Sequence, residues 1–142
     1  MEIKREIYEA IVSYPAETPP EVGGIIGSRE WPVIDMFVGD PGKKGPFGCS
    51  YVPDTTFLNE TIRQWLQEGI LFQGIAHAHF HGVRTLSDGD RAYIRRIIEA
   101  MPAQIKSLYF PIIVLPEREL VPYKAELADG ELVIVEDLLK VV

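Results

Sequence analysis

The chain is 142 residues long, with 14 Lys and Arg against 21 Asp and Glu, a net charge of −7 and one cysteine. That acidic balance argues against a nucleic-acid surface, which needs a basic stripe. One cysteine excludes an internal disulfide and fits a reducing, cytoplasmic setting. Apolar residues at 46% and charged ones at 25% are ordinary for a soluble globular protein, and the length suits a single domain over residues 1–142 with a sizeable core.

The first six residues are charged and carry no apolar h-region, so no signal peptide is expected. No run approaches the ~20 apolar residues of a membrane span, and no membrane partner is expected. Ile3, Ile7, Ala10 and Ile11 recur at helical spacing and predict an amphipathic helix that ends before Pro15. Thr18-Pro19-Pro20 is a stiff approach to a strand. It delivers Glu21 at the strand's start, where a carboxylate either reaches over a site or is simply solvated. Gly23, Gly24 and Gly27 point to close approach by another element or a ligand. No Gly-Lys-Ser/Thr follows to make them a phosphate loop.

Val33 to Val38 reads as the next strand. Four glycines, two prolines and two lysines over residues 39–48 mark an exposed loop, passive on composition alone. Cys49, just beyond, reads as structural or incidental. Phe57, Leu58, Thr61, Ile62, Trp65 and Leu66 form the stripe of a core-facing helix that Gly69 closes. Trp65 belongs to the core in this reading. Leu71 to Phe80 is apolar, aromatic and short, as a strand is.

Tyr93, Ile94, Ile97, Ile98 and Met101 predict another amphipathic helix, with Arg91, Arg95, Arg96 and Glu99 on its wet side and Pro102 at its end. Leu108 to Leu115 reads as one buried strand. Val121 to Leu127 and Glu131 to Val135 flank Ala128-Asp129-Gly130, a hairpin turn. Asp137 to Val142 is too short to assign. Interleaved strands and helices with hairpins at the end predict an α/β or α+β sandwich around a mixed sheet.

All three histidines fall in His77-Ala78-His79-Phe80-His81. On a strand, residues two apart share a face, so His77 and His79 point the same way roughly 6.5 Å apart at the backbone. Two imidazoles can converge on one cation from that spacing, and Asp90, at the start of the next helix, is a third candidate ligand. Two histidines and a carboxylate with an open fourth position is a common catalytic zinc pattern. The same residues have plainer readings. The histidines fit a solvent-facing pair, and Ser87-x-x-Asp90 fits an N-terminal capping box with Asp in place of Glu.

A family resemblance separates these readings. His77-x-His79, seven residues, Ser87, two residues, Asp90 resembles the HxH(x7)SxxD signature of the JAMM (MPN-type, JAB-domain) zinc metallopeptidases. Glu21-Val22-Gly23-Gly24-Ile25-Ile26-Gly27 resembles the family's upstream glutamate and strand. The two motifs stand in the family's order, and length and element order extend the resemblance over essentially the whole chain. The family usually has Ser or Thr between the histidines and Pro after the second. Here Ala78 and Phe80 stand there, which leaves the path of the 80–86 loop open. His81 is an extra histidine, by alternation on the ligand face: a stray ligand, a substrate contact or a loop residue at the mouth of the site.

The resemblance implies a cytidine-deaminase-like mixed β-sheet flanked by helices and a Zn2+ ion held by His77, His79 and Asp90. It also implies Glu21 as proton shuttle and Ser87 as oxyanion donor. The expected activity is that of the stand-alone prokaryotic members, hydrolysis of the amide after the C-terminal Gly-Gly of a ubiquitin-like or sulfur-carrier protein, often beside an E1-like activating enzyme. Two other readings stay open: a catalytically silent scaffold, and a zinc hydrolase acting on another amide.

Overall fold

In the computed structural model residues 1–43 and 51–142 are described; Cys49 and residues 44–48 of the 39–48 loop lie outside the described residues. In chain order the described elements are β1 (Glu2–Ile3), α1 (Arg5–Ser13), β2 (Gly23–Ser28), β3 (Met36–Asp40), α2 (Thr55–Gln67), β4 (Leu71–His79), α3 (Asp88–Ala100), β5 (Ser107–Tyr109), β6 (Ile112–Val114), β7 (Glu119–Val121), β8 (Tyr123–Ala128), β9 (Glu131–Glu136) and β10 (Lys140–Val141). None of the described helices is long and apolar enough to cross a membrane.

β4 is the central strand. Its near-continuous apolar sequence is buried on both faces, as a strand covered by two layers must be. It pairs antiparallel with β2 on one side and parallel with β5 and β6 on the other. The main sheet runs β3-β2-β4-β5-β8-β9, with β6 and β7 branching from β4. The sheet is mixed and helices cover both faces, as expected. Leu58 and Trp65 of α2 and Ile94 and Ile98 of α3 pack with Ile25, Phe72 and Ile75 in one core. Ile11 of α1 packs with Ile26, Ala76, Ala78 and Ile113 in the other.

Side-chain alternation along β4 is interrupted once. The register with β2 skips Gln73, a β-bulge at Gly74, whose φ is +140°. A Cβ on Gly74 would lie 1.7 Å from the Tyr109 carbonyl oxygen. The glycines of β2 admit rings in the way the sequence suggests. A Cβ on Gly27 would meet the Trp65 ring at 2.6 Å, and one on Gly23 would meet the Tyr51 ring at 2.7 Å.

Several elements differ from the sequence reading. Ile3 lies in β1, paired with β10, so the first helix begins only at Arg5. β3 lies a few residues later than Val33 to Val38. Leu108 to Leu115 is two strands, because Pro111 brings no N–H to a ladder. Trp65 is core at 4% exposure, whereas Leu66 is 62% exposed and leaves the stripe. Gly69 does end its helix with φ +75°. Asp129 and Gly130, at φ +51° and +79°, join β8 to β9 as a two-residue hairpin turn.

Candidate metal centre

The C-terminal end of β4 is pinned on both sides. His77 N–H donates to the Pro111 carbonyl at 3.1 Å, Ala78 N–H to Val22 at 2.9 Å, and Leu115 N–H to the His79 carbonyl at 2.8 Å. Alternation then sends Ala76 and Ala78 into the α1-side core and His77 and His79 to the α2/α3 side. The departure at Ala78 is therefore on the face away from the histidines. Both imidazoles are buried, at 2% and 7% exposure.

The third donor comes from α3. Ser87 is its N-cap, and the capping box is complete: Ser87 Oγ accepts from Asp90 N–H at 3.0 Å, and Asp90 Oδ2 accepts from Ser87 N–H at 2.8 Å. Held this way, the Asp90 carboxylate reaches both rings. Its Oδ1 lies 3.2 Å from His77 Nε2 and its Oδ2 3.1 Å from His79 Nε2. The two Nε2 atoms are 2.9 Å apart.

These distances fit a cation. Donors on a tetrahedral shell at zinc bond lengths sit about 3.3 Å from one another; the Nε2 pair, and each carboxylate oxygen with the ring it faces, come within a few tenths of an ångström of that. Two neutral imidazoles and a carboxylate are also a donor set suited to zinc. His77, His79 and Asp90 could thus hold a metal ion.

Charge follows burial and contact. Burial lowers the His77 pKa, with Asp90 opposing. Burial also pulls His79 down, but the hydrogen bond to Asp90 and the charges of Asp90 and Glu21 outweigh it, and its pKa is raised. Asp90 is held far below the usual carboxylate range by both histidines despite its own burial.

Glu21 lies two residues before β2. The β2–β4 register, continued by the Val22–Ala78 bond, sets it level with His79. It lines the same cavity of about 550 Å³ as His77, His79, Ser87 and Asp90. Burial raises its pKa, His79 lowers it and Asp90 raises it. All five residues expected from the sequence are thus brought to one cavity.

His81 is not among the converging donors. With Gly82 it forms a tight turn, at φ +59° and +69°, closed by Val83 N–H to Phe80 O at 3.3 Å. Gly82 N–H to Leu115 O at 2.8 Å anchors that turn, and His81 is left exposed at the cavity's rim. The loop beyond is tied by Tyr123, whose hydroxyl donates to Arg84 O at 2.8 Å, and by Arg84 meeting Glu119.

Asp40 and Tyr51 carried no signal in the sequence, and Tyr93 reads there only as a position of a helix stripe. Asp40, 1% exposed, accepts from Gly42 N–H at 2.7 Å, the Tyr51 hydroxyl at 2.8 Å and Asp54 N–H at 3.1 Å. It clasps both ends of the 41–54 segment. Tyr51 stacks on the His77 ring at 6.2 Å and 19°, and Tyr93 reaches His77 from α3.

No protein-family model and no curated protein matches the chain. Solved structures do. A Desulfitobacterium hafniense protein determined in solution superposes with a TM-score of 0.63 at 16% identity, covering 99% of this chain and 93% of that one. A JAB1/MPN domain protein from Archaeoglobus fulgidus gives 0.58 at 19% identity, covering 100% and 99%. With its mixed sheet, flanking helices and end-to-end superposition, the chain has the fold of a JAB1/MPN domain.

Proposed function

We propose that this chain is a zinc metallopeptidase that hydrolyses the amide bond after the C-terminal Gly-Gly of a ubiquitin-like or sulfur-carrier protein. The observation that carries the reading is the convergence of His77, His79 and Asp90 at 2.9 to 3.2 Å, with Glu21 and Ser87 on the same cavity. The JAB1/MPN-type fold and the two sequence motifs support it. The complete ligand set favours an enzyme over a silent scaffold.

An ion bound there would supply Lewis acidity toward a carbonyl oxygen and would acidify water. The Glu21 carboxylate takes a proton from the attacking water and passes it to the leaving amine. Ser87 Oγ already accepts from Asp90 N–H, so its own proton is left to donate to the oxygen that gains charge. β3 is an edge strand whose Asp40 end pairs with Gly23. An extended substrate tail could add to such an edge.

The test is elemental analysis of purified protein together with cleavage of Gly-Gly-linked fusions. One zinc per chain and cleavage after the second glycine are expected. A chain that binds zinc but leaves every Gly-Gly fusion intact would shift the reading to another amide.

A further inference from the structure

The His77 ring is held by a group that the reaction above leaves unused. Its Nδ1 lies 3.1 Å from the Tyr93 hydroxyl, and the two rings meet edge-on at 5.9 Å. Tyr93 follows Asp90 by three residues on α3, on the same helix face. One turn of helix therefore brings both a carboxylate to the cluster and a hydrogen bond to another of its members. Tyr93 is itself fixed by an edge contact with Phe110 at 6.2 Å. His79 has no such side-chain partner at Nδ1 among the described residues; the Val83 backbone stands at its ring instead.

A neutral imidazole presents a lone pair at one nitrogen only when its proton sits on the other. Asp90 Oδ1, 3.2 Å from His77 Nε2, draws the proton to the wrong nitrogen for binding a cation. Something must favour Nδ1–H, and the Tyr93 oxygen faces that atom.

We infer that Tyr93 is a positioning residue for His77, accepting its Nδ1–H and so holding Nε2 open toward a zinc ion. The inference rests on the metal-site reading above. The two histidines are then unequal ligands: His77 is pre-oriented by the Tyr93 side chain, and His79 by its strand, Asp90 and the Val83 backbone.

The decisive experiment uses Tyr93→Phe, which keeps the ring and removes the oxygen. Partners of this kind are worth about 10- to 100-fold in metal affinity. Chelator competition should therefore show Zn2+ held at least 10-fold more weakly, with thermal melting before metal addition close to wild type. In zinc-loaded wild-type protein, nitrogen-15 NMR should show His77 bound through Nε2, with an Nδ1–H that exchanges slowly with water. That proton should exchange faster in Tyr93→Phe, while the His79 signal stays unchanged. Equal zinc affinity in the two proteins would overturn the role of Tyr93 and leave the metal site standing. Wild-type protein that binds zinc through His77 Nδ1 would overturn it without any variant. Wild-type protein with no affinity for zinc would remove this inference and the proposed function together.

Discussion

Ser87 and Asp90 hold one another twice, each backbone N–H donating to the other's side chain, at 3.0 and 2.8 Å. The bond that starts α3 is thus the bond that aims a carboxylate at two histidines. Ser87→Ala should cost about 1 kcal/mol through loss of the cap. If the hydroxyl also stabilises an oxyanion, turnover well below the melting range should fall by roughly 10² or more, with KM moving less. Ser87→Thr should keep the stability and lose part of the rate. A destabilised Ser87→Ala protein with unchanged turnover would leave the cap standing and take Ser87 out of the catalysis.

His77→Ala, His79→Ala and Asp90→Ala should each lose stoichiometric zinc and all hydrolysis. Chelation should silence wild-type protein, and added Zn2+ should restore it. One tightly held zinc in His77→Ala at neutral pH would show the ligand set to be wrong.

Glu21 lies level with His79 but outside the donor cluster. Glu21→Gln should therefore keep zinc and melt normally while turnover drops by on the order of 10² to 10⁴, the usual worth of a proton shuttle. Near-normal turnover would make Glu21 a bystander at the cavity wall.

Gly74 and Gly130 both have positive φ, yet only Gly74 is crowded. Nothing lies within 4 Å of a Cβ on Gly130, so Gly130→Ala should cost about 1 to 2 kcal/mol of backbone strain alone. Gly74→Ala must in addition displace the Tyr109 carbonyl and should cost at least about 3 kcal/mol. Denaturant unfolding of the two variants compares them directly; equal losses would mean that β4 and β5 separate easily at the bulge.

Asp40 accepts three hydrogen bonds with its two carboxylate oxygens. In Asp40→Asn one of those atoms becomes an NH2 facing donors. The loss should be about 2 to 3 kcal/mol, since bonds to a buried charge are the strong ones. Tyr51 would also be freed from the face of His77. Unfolding midpoints measure the first effect. Unchanged stability would deny that Asp40 clasps the 41–54 segment.

What was legible in the sequence was local. Period 2 put His77 and His79 on one face of β4, and a serine three residues before an aspartate marked the start of α3. Both rest on backbone geometry within a few residues. Glycines at Gly23 and Gly27 announced close neighbours without naming them; the rings of Tyr51 and Trp65 fill those places. Tyr93 reads in sequence as one more position of a helix stripe. A tyrosine buries its ring while its hydroxyl remains able to bond, and periodicity registers only the ring. Ile3 fell at helical spacing with Ile7, but its partner is Val141, and nothing near residue 3 records a strand at the far end of the chain.

The sequence by itself determined which residues could ligate, which element carries each of them, and that a mixed sheet with helices would be the frame. Spacing and hydrophobic period act over one strand or one helical turn, so they survive without the rest of the molecule. Only the tertiary structure decided that Glu21 from the approach to β2, Tyr51 from the 41–54 segment and Asp90 from α3 meet the histidines at one cavity. That meeting depends on β2 pairing with β4 in one register and on α3 packing across the same face. Those contacts link residues distant in sequence, and their energy comes from burying surfaces that exist only once the whole core has assembled.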